Sequence, residues 1–202
     1  GAWITYGLGS ENRNLPGFVV MYDTLGRGLP KGHAQNWGTG FLPGVFQGTA
    51  LNAQGAPINN LYRRPDMTDQ QQVAQLDLLR SLNKHHPAAN EADFSARIES
   101  FELAYRMQMA APEALDIDKE PEHIHKLYGT DSSDEHQRYY ASQALRARRL
   151  VEAGVRFIEI TCPSFDGNNS PWDQHGQIRQ NHAKNARVTD QCVAALIVDL
   201  EQ

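Results

Sequence analysis

The stretch ARRLVEAGVRFIEIT, Ala147 to Thr161, constrains the fold more tightly than any other part of the chain. Its first half carries apolar residues at helical spacing, and its second half is a run of β-formers. Gly154 stands between them, where a left-handed residue ends a helix. A helix, one glycine and a strand in so few residues form the short αβ connection of α/β sheets. The pattern predicts a helix from about Glu135 to Ala153, with Tyr140, Ala144, Ala147 and Val151 facing inward, and a strand from Val155 to Thr161.

The same grammar extends towards the start of the chain. Phe18-Val19-Val20-Met21-Tyr22 is a short apolar run after Pro16-Gly17 and reads as a buried strand. Gly26 to Gly48 holds seven of the sixteen glycines and no sustained period, so it is expected to be an ordered loop. Thr68 and Gln71 form a capping box. Val73, Leu76, Leu79 and Leu82 then mark one face of a helix that Pro87 ends. Asn90 is expected to cap a further helix with Phe94, Ile98, Phe101 and Tyr105 at helical spacing, stopped or restarted by Pro112. These two helices are expected to form an antiparallel pair. Residues 113–134 read as loop with short turns. A last helix from about Arg179 shows a stripe of Val193, Leu196, Ile197 and Leu200. The order predicts an α/β fold: two strands of a larger sheet, with a helical insertion over about 66–153, in a single partial α/β domain spanning 1–202. The first residue is not Met, and the last helix has no stop signal, which points to a piece of a longer protein.

Chemistry is expected beyond the second strand, because open α/β sheets bind ligands at the carboxyl ends of their strands. The segment TCPSFDGNNSPWDQHG there carries Asp166, Asp173 and His175, with His182 following. Asp and Asn in loops make turns, and this is one reading of the segment. The other is a metal site. On extended backbone, residues two apart share a face, so Asp173 and His175 can converge on one point. Carboxylate oxygen and imidazole nitrogen suit zinc, manganese or iron. Two ligands do not complete a catalytic zinc site, which takes about three from protein. Weaker candidates for substrate contact are His33 and Trp37 in the Gly-rich stretch, together with Asp166.

Other patterns are excluded or neutral. The net charge of −5 argues against nucleic acid or an anionic membrane as partner, and no run is apolar enough to span a bilayer. The two cysteines, Cys162 and Cys192, form no CxxC, so there is no zinc ribbon or disulfide scaffold. Cys162 is expected to be a small buried residue. No P-loop and no GxSxG occurs, and Gly26-Arg27-Gly28 is not followed by a helix signal. Asn168-Asn169-Ser170 matches a sequon but is followed by Pro171. His85 and His86 read as surface residues. His123 and His125 lack further ligands nearby. Arg146, Arg148 and Arg149, with Glu152, read as a solvated helix face.

Several stretches taken together resemble a known family. They are GAWITYGLGSENRNLPGFVVMYD, NWGTGFLPGVFQGT, FELAYRMQ, ARRLVEAGVRFIEIT and WDQHG. In order and spacing they are similar to a bacterial sulfatase-like family of unknown function within the alkaline-phosphatase-like superfamily. That resemblance implies an exported, periplasmic parent protein with a twin-arginine-type leader, of which this chain is the central part. It implies that Trp172, Asp173 and His175 are the family's Trp-Asp-x-His motif. Asp173 and His175 would then be ligands of a divalent metal: zinc, manganese, calcium or magnesium. The implied substrate is a sulfate or phosphate ester, either a small molecule or a polysaccharide. The sulfatase signature Cys-x-Pro-x-Arg is absent around Cys162, and no nucleophile is identifiable.

Three functional expectations result. One is a metal-dependent hydrolase of sulfate or phosphate esters, inactive as this segment alone. Another is a non-catalytic relative that binds a polysaccharide or a partner through exposed aromatics around Trp37. The third is a structural or assembly role for the helical insertion.

Overall fold

The computed structural model describes residues 1–22, 25, 32–52, 56–58, 61–162 and 172–201. The fold is mixed α/β and mostly helical, around a small parallel sheet of three strands. The central strand is β1 (Phe18–Met21), with β2 (Thr49–Leu51) on one side and β3 (Phe157–Ile160) on the other. Val19 pairs with Thr49 and with Ile158. The α-helices among the described residues are α1 (Ala2–Leu8), α2 (Asp69–Lys84), α3 (Ala92–Leu115), α4 (Glu122–Tyr128), α5 (Glu135–Glu152) and α6 (Ile178–Leu200). Helices α2 to α5 lie between β2 and β3 in sequence. No helix among the described residues is long and apolar enough to cross a membrane.

The central strand explains its own sequence. Val19 and Met21 face one core with Met107, Ala111, Ala147 and Leu150. Phe18 and Val20 face the other with Trp37. A parallel strand covered on both faces must be apolar throughout, so it reads as an unbroken run. β2 is absent from the sequence prediction, because three residues carry no readable alternation and their pairing depends on distant partners. α1, α4 and three short 3-10 turns, His33–Trp37, Gly44–Phe46 and Ile117–Lys119, also fall in stretches read as loop or left unassigned.

α5 and its exit agree best with the prediction. The Asp134 carboxylate accepts hydrogen bonds from the amides of His136 and Gln137, which caps the first turn. Gly154 has φ 91, the left-handed position predicted for it. Asn12 packs against it and donates to the Ala153 carbonyl, which locks the turn into β3. The buried face of α5 is wider than a single stripe. It holds Tyr140, Ala141, Gln143, Ala144, Leu145, Ala147 and Leu150, whereas Val151 is exposed. α5 is covered on two sides, by the sheet core and by α6 with α4, which a one-sided pattern does not convey.

The other helices depart from the reading in instructive ways. α6 buries Asn185, Val188, Cys192 and Ala195, while Val193, Ile197 and Leu200 are exposed. Its seam with α5 is made of small side chains (Ala141 and Ala144 against Cys192 and Ala195), which allow close helix approach. α2 begins with the predicted capping box but buries no residue, so its apolar stripe has no cover. It is tied to α3 by Arg80 Nε donating to Glu102 Oε1 at 2.7 Å. α3 starts after Glu91 rather than Asn90. It runs through Pro112 to Leu115, because a proline so near the end removes only a last-turn hydrogen bond. Phe101, predicted on its inward stripe, is exposed.

Candidate functional site

The end of β3 is held to the sheet by the Thr161 amide, which donates to the Met21 carbonyl at 2.8 Å. The chain then leaves through Cys162. The described part of the connection resumes at Trp172, whose indole N–H donates to Cys162 Sγ at 2.8 Å. Its two ends therefore meet. Trp172 also lies against the His182 ring, with centroids 5.6 Å apart, and the His182 Nε2 donates to the Trp172 carbonyl at 3.2 Å. Asn181 Nδ2 donates to Gln174 Oε1 at 2.8 Å and to the Gly176 carbonyl at 3.2 Å. Gln177, at φ 49, makes the left-handed step that starts α6. The segment from Trp172 to Gly176 is thus folded back onto the first turns of α6, just beyond the carboxyl end of β3.

Asp173 and His175 converge there. The His175 Nε2 lies 3.1 Å from the Asp173 Oδ1. Their side chains are 67% and 88% exposed respectively, so the pair faces solvent. No group of three or more His, Cys, Asp or Glu side chains able to hold a metal occurs among the described residues. Asp166 lies outside the described residues, as does the sequon at Asn168 to Ser170.

The Gly-rich candidates separate. Trp37 is only 5% exposed and stacks on Tyr22, with ring centroids 6.0 Å apart and planes at 1°. It belongs to the core over β1, which corrects the expectation of an exposed aromatic there. The 3-10 turn it ends folds onto the sheet and carries the indole inward. His33, at the start of the same turn, is exposed at φ 47. The exposed aromatic rings lie elsewhere. Trp3 of α1 and Phe41 stand edge to face at 5.3 Å, both exposed, and Tyr6 of α1 packs likewise on Phe46. Of these rings Phe46 lines a cavity of about 1210 Å³ at the amino ends of β1 and β2, together with Asn12, Arg13, Arg97 and Arg106 among others. The aromatic density of the first residues was the available signal for this cluster.

The arginine cluster is a second correction. Arg148 is 12% exposed, and its partner Glu120 8%. The Arg148 guanidinium reaches Glu120 at 2.6 Å, Glu152 at 2.9 Å and Asp199 at 3.3 Å. Arg149 bonds Glu120 and donates to the carbonyls of Glu113 and Ala114. Tyr128, fully buried, donates its hydroxyl to Asp199 at 2.9 Å. Burial, and then the bond to Asp199, push the Tyr128 pKa well above the ordinary tyrosine value. This is an ionic clasp joining α4, α5 and α6, not a solvated face. Cys192 is buried in the α5–α6 seam, and burial pushes its thiol up to about 11, away from nucleophilic use. Cys162 is half-buried rather than buried. His123 and His125 lie on α4, where a spacing of two turns side chains apart, and the His125 ring bonds Thr130 instead.

No curated protein and no solved structure matches the chain. A family model matches residues 1–202, with the description Protein of unknown function (DUF1501). That finding corrects the resemblance to a sulfatase-like family of the alkaline-phosphatase-like superfamily: the family that matches is described only as of unknown function, and no comparison gives evidence of a sulfatase or of that superfamily. Short motifs such as Trp-Asp-x-His arise too easily by chance to place a chain in a superfamily. The roles implied for Asp173 and His175 therefore rest on their geometry alone. Over residues 1–202 the chain belongs to the family described as Protein of unknown function (DUF1501).

Proposed function

We propose that this chain supplies part of the metal centre of a metal-dependent hydrolase acting on sulfate or phosphate esters. The observation that carries the reading is the 3.1 Å separation of Asp173 Oδ1 and His175 Nε2 at the carboxyl end of the sheet. Two ligand atoms each about 2.1 Å from one zinc ion stand roughly 3.0–3.4 Å apart at octahedral or tetrahedral angles, so the spacing suits a shared cation. A mixed carboxylate and imidazole set favours zinc or manganese over calcium or magnesium, which prefer oxygen donors. As an exposed ion pair the same contact contributes at most about 1 kcal/mol, so stability gives little reason for the arrangement. Trp172, Asn181 and His182 hold the backbone of the pair in position. A bound divalent ion would polarise an ester oxygen and lower the pKa of an attacking water.

Calorimetric titration with zinc and with manganese tests the reading, using the wild type and an Asp173→Ala, His175→Ala double variant. Binding in the wild type should fall at least about tenfold in the variant, since one ligand interaction of about 1.4 kcal/mol corresponds to that factor. Equal binding by both proteins sinks the proposal. Hydrolysis of an aryl phosphate or aryl sulfate by the protein should fall in parallel.

A second reading, a binding role towards polysaccharide, is supported by the exposed Trp3–Phe41 pair, not by Trp37. Exposed rings of this kind stack on apolar faces of ligands. Unchanged glycan retardation in affinity electrophoresis after Trp3→Ala with Phe41→Ala counts against it.

A further inference from the structure

Arg146 differs from its neighbours on α5. Arg138 donates to the Ser132 carbonyl, and Arg148 and Arg149 are held in the clasp. Arg146 has no hydrogen bond or ion pair among the described residues, and its Nε is sealed from solvent. Buried charges in proteins are ordinarily paired, because desolvation without a partner costs several kcal/mol. A second orphan lies one helical turn away: the Gln143 side chain is fully buried, and neither atom of its amide has a partner. Two unsatisfied polar groups on adjoining turns of one helix call for an explanation beyond packing.

The surroundings indicate what the partner is. Arg146 lines two cavities, of about 380 and about 670 Å³, which share Ile117, Asp118 and Arg146 itself. The smaller is also lined by Leu25, His125, Thr130, Arg138, Tyr139 and Ser142. Its available donors are Arg146 and the part of the Arg138 fork not bonded to Ser132, whereas the Ser142 hydroxyl donates to the Arg138 carbonyl and Thr130 is bonded to His125. Asp118 and Glu135 lie on its wall as well, and neither pairs with Arg146. With two acids present, a polyanion is disfavoured and a compact single oxyanion is accommodated. Burial lowers the Arg146 pKa, while Tyr139 and Asp118 nearby favour the charge; a guanidinium remains protonated throughout the neutral range. Gly154 reverses the chain between α5 and β3, so α5 and β3 run in opposite directions. Leu25, which follows β1, reaches the same cavity.

We propose that this cavity is a binding site for a compact oxyanion group, phosphate, sulfate or carboxylate, with Arg146 as its principal cation. The proposal does not depend on the cation site at Asp173 and His175.

The test titrates inorganic phosphate, sulfate and acetate into the full chain and follows amide chemical shifts and thermal midpoint. The comparison proteins are Arg146→Met, Arg146→Lys and the Asp173→Ala, His175→Ala double variant. Saturable binding of at least one anion is expected in the wild type and in the double variant. Phosphate or sulfate binding without acetate identifies a tetrahedral group; acetate binding alone identifies a carboxylate. Arg146→Lys, which keeps the charge but loses the planar fork, should weaken binding about tenfold, and Arg146→Met should abolish it. In anion-free buffer Arg146→Met should melt higher than the wild type, because an orphan charge is replaced by apolar surface. Absence of saturable binding in the wild type, or equal binding in wild type and Arg146→Lys, overturns the proposal. If Arg146→Met does not fold, Arg146→Lys decides alone.

Discussion

Glu120 accepts from both Arg148 and Arg149 while its side chain is almost out of contact with water. Burial alone would raise its pKa, but the hydrogen bonds from Arg149 and Arg148 outweigh that and hold it below the ordinary glutamate value. A folded pKa below the unfolded one makes the carboxylate stabilising above the unfolded value, about 4.3. The contribution fades as pH falls through the lower, folded value. Glu120→Ala should therefore destabilise by about 1.5–3 kcal/mol in urea unfolding at pH 7, the worth of a hydrogen bond to a charged group, because Arg148 keeps Glu152 and Asp199 and Arg149 keeps two carbonyls. The gap between wild type and variant should narrow steadily below about pH 4. An unchanged gap at low pH would show that the clasp does not act through the carboxylate charge. At this scale the chain is partly readable. Asp173 and His175 are two residues apart, so local backbone geometry alone brings them together. Arg148 and Arg149 look like surface charges because Glu120 and Asp199, their partners, are far along the chain.

Helix ends are written locally, but helix faces are not. Thr68 with Gln71, and Asp134 with the amides of His136 and Gln137, are both real caps. Their consequences should differ, because α5 is buried on two sides and α2 buries nothing. Asp134→Ala should lower global stability by about 1 kcal/mol. Thr68→Ala should leave it within about 0.5 kcal/mol, while amide exchange in the first turns of α2 quickens. Equal losses of global stability in the two variants would mean that α2 is packed in solution. The apolar stripes of α2 and α6 show why sequence periodicity misassigns faces. A stripe marks a face that is able to be buried, and the neighbouring elements select among such faces. On α6 the small residues Cys192 and Ala195 fit the alanines of α5 more closely than Val193 and Ile197 would.

Across the whole molecule, the unused stripes become surface. Leu78, Leu79 and Leu82 on α2, Phe101 and Met109 on α3, and Val193, Ile197 and Leu200 on α6 are all exposed. Exposed apolar side chains in this number favour association. Sedimentation velocity should show concentration-dependent self-association in the micromolar to millimolar range, reduced by Leu78→Glu with Leu82→Lys. A wild type that sediments as a monomer throughout would remove this expectation. What the sequence by itself determined is the set of features written in a few consecutive residues: the helix–Gly154–strand connection, the fully apolar β1, the capping box of Thr68 and Gln71 and the approach of Asp173 to His175. Each follows from backbone geometry or hydrogen-bonding groups within about one helical turn or one strand. What only the tertiary structure decided is the rest: β2 pairing to β1, Trp37 turning into the core, the partners of Arg148 and Arg149, and the orphan state of Arg146. Those depend on which distant surfaces meet, and burial and ion pairing are properties of the assembled neighbours rather than of any segment.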